Sequence, residues 1–151
     1  MPGLLRYWED YEVGATYELG SRSISEEEII GFARQFDPQP FHVDPAAATQ
    51  SMFGGLIASG WHTCSIMMRL MVDNYLNPET SLGSPGVDEV RWLKPVRPGD
   101  TLTGRMHILD KRESRSKPTI GLVTNEASLQ NQQGNVVATV RATQLVRRRP
   151  A

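Results

Sequence analysis

Asp37 and His42 lie in the run Phe36-Asp37-Pro38-Gln39-Pro40-Phe41-His42, which two prolines stiffen. A carboxylate and an imidazole held on one rigid segment can both reach a single water molecule. Proton transfer by groups positioned in this way contributes ~10²–10⁴-fold to a rate. Further on, Phe53-Gly54-Gly55-Leu56-Ile57-Ala58-Ser59-Gly60-Trp61-His62-Thr63 leads into a helix with no formally charged residue before Arg69. Gly60, in the first turn of that helix, offers a backbone N–H without an intrahelical partner. It lies at the positive end of the helix dipole, with no side chain to hold an oxyanion away. Losing such a donor commonly costs ~10²–10³ in rate. An acid, a base and an oxyanion donor together suit chemistry on a carbonyl compound.

Each residue also has a plainer reading. An aspartate after a helix often ends a turn, and His42 serves equally well as a buried, hydrogen-bonded histidine. Gly54 and Gly55 read as turn glycines. His42, Asp44 and His62 form no common zinc pattern, because the first two are only two positions apart. Met67, Met68 and Met71 read as core filler, with the lining of an acyl tunnel as the alternative. His107 alternates along a strand as an exposed or interface residue.

The flanking elements follow from local signals. Residues 1–14 carry Tyr7, Trp8 and Tyr11 without a period and read as an irregular arm whose aromatics pack on the body. Thr16 to Ile24 reads as a first strand. Ser25 with Glu28 forms a capping box, and Ile29, Ile30, Ala33 and Phe36 recur at helical spacing. Pro38 ends that helix, leaving Asp37 just past its C-terminus, where the dipole opposes a carboxylate. A negative charge placed there needs a reason. Pro45 to Gln50 reads as a short helix started by Asp44 or Pro45.

From Leu56 or Ser59 to about Tyr75, apolar residues lie on more than one side, which predicts a helix buried nearly all round. Four strands follow: Val87–Val96, Thr101–Lys111, Thr119–Gln130 and Asn135–Val146. The first is closed by the turn Arg97-Pro98-Gly99-Asp100, and the last places Val136, Ala138, Val140 and Ala142 on one face. Long strands with short turns predict an antiparallel meander. The fold class is α+β: a single domain over residues 1–151, with a curved antiparallel sheet of about five strands wrapped around a long central helix. The open sheet edge predicts a homodimer or a higher homo-oligomer.

Bulk properties narrow the function. The chain has 151 residues, enough for one domain with a substantial core. A net charge of −1 gives no field that would draw in nucleic acid or an anionic membrane. The basic end, Arg147-Arg148-Arg149 within 147–151, reads as a solvated tail. A lone cysteine, Cys64, excludes an intrachain disulfide and fits a cytoplasmic setting. Its apolar helical position makes it a poor nucleophile. No leader pattern opens the chain. The most apolar stretch, Gly54 to Met68, is interrupted by polar residues and is too short to span a bilayer.

Asp37-Pro38-Gln39-Pro40-Phe41-His42, followed by Phe53-Gly54-Gly55-Leu56-Ile57-Ala58-Ser59-Gly60, resembles the MaoC-like dehydratase family, which includes the R-specific enoyl-CoA hydratases and has the hotdog fold. The family loop reads Asp, any residue, Asn, Pro, an apolar residue, His. Asp37, Pro40, Phe41 and His42 match it in register. Val90 to Leu102 looks like the family's strand and turn after the central helix, and the likeness runs from about Val13 to Val146. Gln39 stands where the family usually has Asn, and Ser59 where the hydratases often have His.

The resemblance implies a hydratase or dehydratase acting across the 2,3 double bond of an enoyl-CoA and giving an (R)-3-hydroxyacyl-CoA. Asp37 and His42 would be the catalytic dyad, with Gly60, Gln39 and Ser59 on the oxyanion and substrate. Coenzyme A would enter only as part of the substrate, with no metal and no other cofactor. Arg91, Lys94 and Arg97 are candidates for its nucleotide end. Two other functions compete with this reading. Thioester hydrolysis in hotdog proteins usually places a carboxylate on the central helix, where this chain has only Asp73 at the far end. A non-catalytic acyl-CoA-binding module is the other.

Overall fold

Ser25 starts the first helix as its capping box predicts. The Glu28 N–H donates to Ser25 Oγ at 3.1 Å, and the Ser25 N–H donates back to the Glu28 carboxylate at 3.3 Å. In the computed structural model, which describes residues 3–151, helix α1 spans Glu26–Phe36 and Asp37 is its C-cap. Met1 and Pro2 of the expected arm lie outside the described residues. The run expected as a proline-braced loop contains a helical turn, α2 (Pro40–Val43), with Pro40 at its first position, where a missing N–H costs nothing. Asp44 caps the next short helix, α3 (Pro45–Thr49), by accepting from the N–H groups of Ala46 and Ala47. The central helix α4 runs Gly60–Asn74 from an N-cap at Ser59.

The strands are β1 (Thr16–Ser23), β2 (Gly86–Trp92), β3 (Thr101–Glu113), β4 (Ile120–Gln130) and β5 (Val136–Arg147). They form one antiparallel sheet in the order β1-β3-β4-β5-β2. Only β3, β4 and β5 form a meander. The two strands that come first in the chain cross over to become the edges. Proline at position 98 and glycine at 99 shape the turn into β3. Gly99 has φ +87, and the Asp100 N–H donates to the Arg97 carbonyl. Inward residues of β3 and β4, among them Leu102, Met106, Ile108, Val123 and Leu129, join Ile66, Met67 and Leu70 of α4 in one core. This sheet packed on one central helix is the expected α+β hotdog architecture.

Three expectations are corrected. Helix α4 is not buried all round: Trp61, Met68 and Val72 are 59%, 51% and 46% exposed. On β5, Val137 is buried and Val136 exposed, reversing the simple alternation. The reason is a register shift: Leu129 pairs with Ala138 but Gln130 with Val136, so Val137 is an extra residue that flips the strand's face. The basic end is not free in solvent. Arg148 pairs with Glu9 at 3.1 Å and with Glu113 at 3.3 Å, and Arg149 pairs with Asp10. Among the described residues, no helix is long and apolar enough to cross a membrane.

Candidate active site

Pro38 stops α1, so Asp37 leaves the helix with φ −153 and ψ 66 and turns toward the start of α4. The Asp37 carboxylate is held from three sides. Gln39 Nε2 donates to Oδ1 at 2.6 Å, and Ser59 Oγ donates to Oδ2 at 2.7 Å. His42 Nε2 stands 3.3 Å from the same Oδ2. The ring of His42 is fixed by its other nitrogen: Nδ1 lies 2.7 Å from the Ile57 carbonyl, which can only accept, so Nδ1 carries the hydrogen and Nε2 is turned to Asp37. Burial pushes the Asp37 pKa upward. The hydrogen bonds from Gln39 and Ser59 and the charge of His42 outweigh that effect, and the net shift is below the usual aspartate value.

Asp37 and His42 line one cavity of about 530 Å³, bounded by Phe41, Phe53, Trp61, Trp92 and Val137. Gly60 lines it too. The Gly60 N–H has no acceptor among the described residues, because the Ser59 side chain takes the next N–H, that of Trp61, at 3.3 Å. Packing also requires glycine at 60. A Cβ there would overlap the Trp92 indole, whose Nε1 donates to the Gly60 carbonyl at 2.9 Å. The residue is small because an aromatic ring lies against it.

The other expected residues separate clearly. Ser59 is fully buried and outside the cavity lining; its hydroxyl donates to Asp37 and accepts from the Trp61 N–H at the helix start. Gln39 lines the cavity while its amide is engaged on Asp37. Arg91 pairs with Glu89, and the Arg97 guanidinium holds the Phe53 carbonyl at 2.6 Å. Lys94 lines the cavity with no ion pair among the described residues. Among those residues no group of three His, Cys, Asp or Glu side chains could hold a metal ion. His62 instead stacks on Phe32, ring centroids 4.6 Å apart. Burial keeps the Cys64 thiol above its ordinary pKa. Trp92 has no functional reading in the sequence: Pro95 signals a strand end, but its contact with Gly60 joins residues 32 positions apart and has no local signal.

A model of the MaoC-like domain matches residues 10–131. The crystal structure of a MaoC-like dehydratase from Rhodospirillum rubrum is 40% identical, covers 97% of this chain and 100% of that one, and superposes with a TM-score of 0.91. The uncharacterized protein YdeM of Bacillus subtilis is 31% identical over 82% of this chain and 86% of its own length. A 3-hydroxybutyryl-CoA dehydratase of Methylorubrum extorquens is 29% identical over 69% of this chain and 64% of its own length. With a sheet of this order around α4, and a family match over most of the sequence, the chain belongs to the MaoC-like domain family.

Proposed function

We propose that this chain is a hydratase/dehydratase that adds water across, or removes it to form, the 2,3 double bond of an enoyl thioester. The observation that carries the reading is the convergence of Asp37 Oδ2 and His42 Nε2, 3.3 Å apart, on the cavity that Gly60 also lines. In the hydration direction, water bound between the two side chains loses a proton to the dyad as its oxygen bonds to C3. The thioester carbonyl becomes enolate-like and is held by the Gly60 N–H at the positive end of α4. A proton from the dyad then reaches C2. Every charge that develops meets a group of the chain, so the reading includes no metal and no organic cofactor beyond the substrate's own coenzyme A. The similarity to a 3-hydroxybutyryl-CoA dehydratase supports an acyl-CoA substrate, and the family resemblance supports an (R)-3-hydroxy product.

The working unit in this reading is a homodimer in the cytoplasm. Edge strand β2 has a free side, and exposed Trp61, Met68 and Val72 on α4 accompany exposed Val87 and Trp92 on β2. A second copy pairing there covers both liabilities at once.

The test is incubation with crotonyl-CoA and a small panel of longer and branched enoyl-CoAs, following conjugated-thioester absorbance and free thiol together. Hydration lowers the absorbance and releases no thiol. Thiol release would instead establish a thioesterase, and neither change across the panel would leave a binding module.

A further inference from the structure

On the inner face of β4 and β5, two buried amides stand among apolar residues. Asn125 occupies an inward position of β4, between Val123 and Ala127, and is 3% exposed; Gln144 on β5 is 7% exposed. Their orientation is set by a chain of hydrogen bonds. The Tyr75 hydroxyl donates to Gln144 Oε1 at 2.8 Å, and Asn125 Nδ2 donates to the same oxygen at 3.1 Å. Gln144 Nε2 donates to the Tyr11 hydroxyl at 3.4 Å. Burial holds the Tyr75 phenol far above its ordinary pKa, so it remains a donor. Asn125 Nδ2 is thus engaged on Gln144 and on the Tyr75 hydroxyl, while Asn125 Oδ1 has no partner among the described residues.

Asn125 belongs to the wall of a second cavity, about 350 Å³, between α4 and the sheet. Met67, Met71, Met106 and Val140 line it, and Trp61 forms a wall of both this cavity and the one holding the dyad. Val137 lies at the dyad cavity and Ala142 pairs with Asn125, so the separation along β5 is roughly 17 Å of strand. An unbranched hydrocarbon fills the methionine-lined part well but leaves a desolvated carbonyl oxygen unpaired.

We infer that this cavity takes the acyl chain of the thioester and that Asn125 Oδ1 selects chains carrying a hydroxyl toward their far end. The inference rests on the thioester reading above and adds to it the class of acyl group.

The test is calorimetric binding of two saturated thioesters, which cannot be hydrated: dodecanoyl-CoA and its end-chain hydroxylated analogue. The wild-type chain binds the hydroxylated thioester about 3- to 10-fold tighter, the value of one well-formed hydrogen bond. Asn125→Leu reverses the order. Equal binding, tighter binding of the plain chain, or no binding of either by the wild-type protein overturns the inference without any variant. Retention of the preference in Asn125→Leu overturns it as well. Asp37→Asn keeps the preference, so a chain that discriminates the two thioesters but hydrates no enoyl-CoA would refute the hydratase reading alone.

Discussion

Ser59 Oγ donates to Asp37 Oδ2 at 2.7 Å, and that same oxygen is the one facing His42 Nε2. One hydroxyl thus joins the end of α1 to the start of α4. Ser59→Ala removes that bond and the N-cap of α4 together. Capping loss costs about 1 kcal/mol of stability, measurable as a lower urea midpoint. Because the Ser59 bond helps hold the Asp37 pKa down, its loss moves the acid limb of the pH–rate profile to higher pH. An unmoved limb would show that Asp37 does not govern it.

Asp37→Asn and His42→Ala are each expected to lower kcat by ~10²–10⁴-fold. Their effects on folding differ. Asp37→Asn preserves shape, whereas His42→Ala strips the Ile57 carbonyl of its buried donor and lowers stability by about 1–3 kcal/mol. Steady-state kinetics beside thermal unfolding separates the two, and near-normal turnover in either variant removes the dyad from the mechanism.

Gly60→Ala drives a methyl group into the Trp92 ring. The expected loss is about 1–3 kcal/mol from overpacking, with a shift in tryptophan fluorescence. Adding Trp92→Leu to Gly60→Ala restores much of that stability. If the double variant is no more stable than the single one, the ring is not what demands glycine.

His62 gives the fold a second acid sensitivity. It is buried against Phe32, its Nδ1 has no partner, and burial lowers its pKa below the ordinary histidine value. The unfolded chain therefore binds this proton more tightly than the folded one. Stability is complete above about pH 6.5 and declines as pH falls from there toward the depressed folded value. Urea midpoints at pH 7.5 and 5.5 should differ more for the wild-type chain than for His62→Phe. Equal differences would mean that other groups, such as Glu28, carry the effect.

Elements whose signals are local were legible in the sequence. Ser25 with Glu28, Pro38 after Asp37, and Pro98-Gly99 each act within a few residues, and the structure shows the cap, the stop and the turn they imply. The Asp37–His42 approach was legible from the proline-stiffened run and the family loop, and Gln39 meets the carboxylate from two residues away, whereas nothing local says that Ser59, twenty-two residues on, will meet it too. Long-range facts stayed hidden. The extra residue at Val137 depends on pairing with β4, and the exposed stripe of α4 depends on which sides the sheet reaches. In the sequence Asn125 is one polar residue within Thr119–Gln130, with no signal of its own. Its importance appears only when Tyr75 and Gln144 close around it.

Tyr11 sits in residues 3–14, where the regular structure amounts to a single 3-10 turn, Trp8–Asp10. It is 2% exposed and its hydroxyl receives the Gln144 amide. Trimming that lead to obtain a tidier protein would loosen the peg on which Gln144, and through it Asn125, hangs. A shortened version would leave the Gln144 amide without its Tyr11 partner, and with it the bond that holds Asn125.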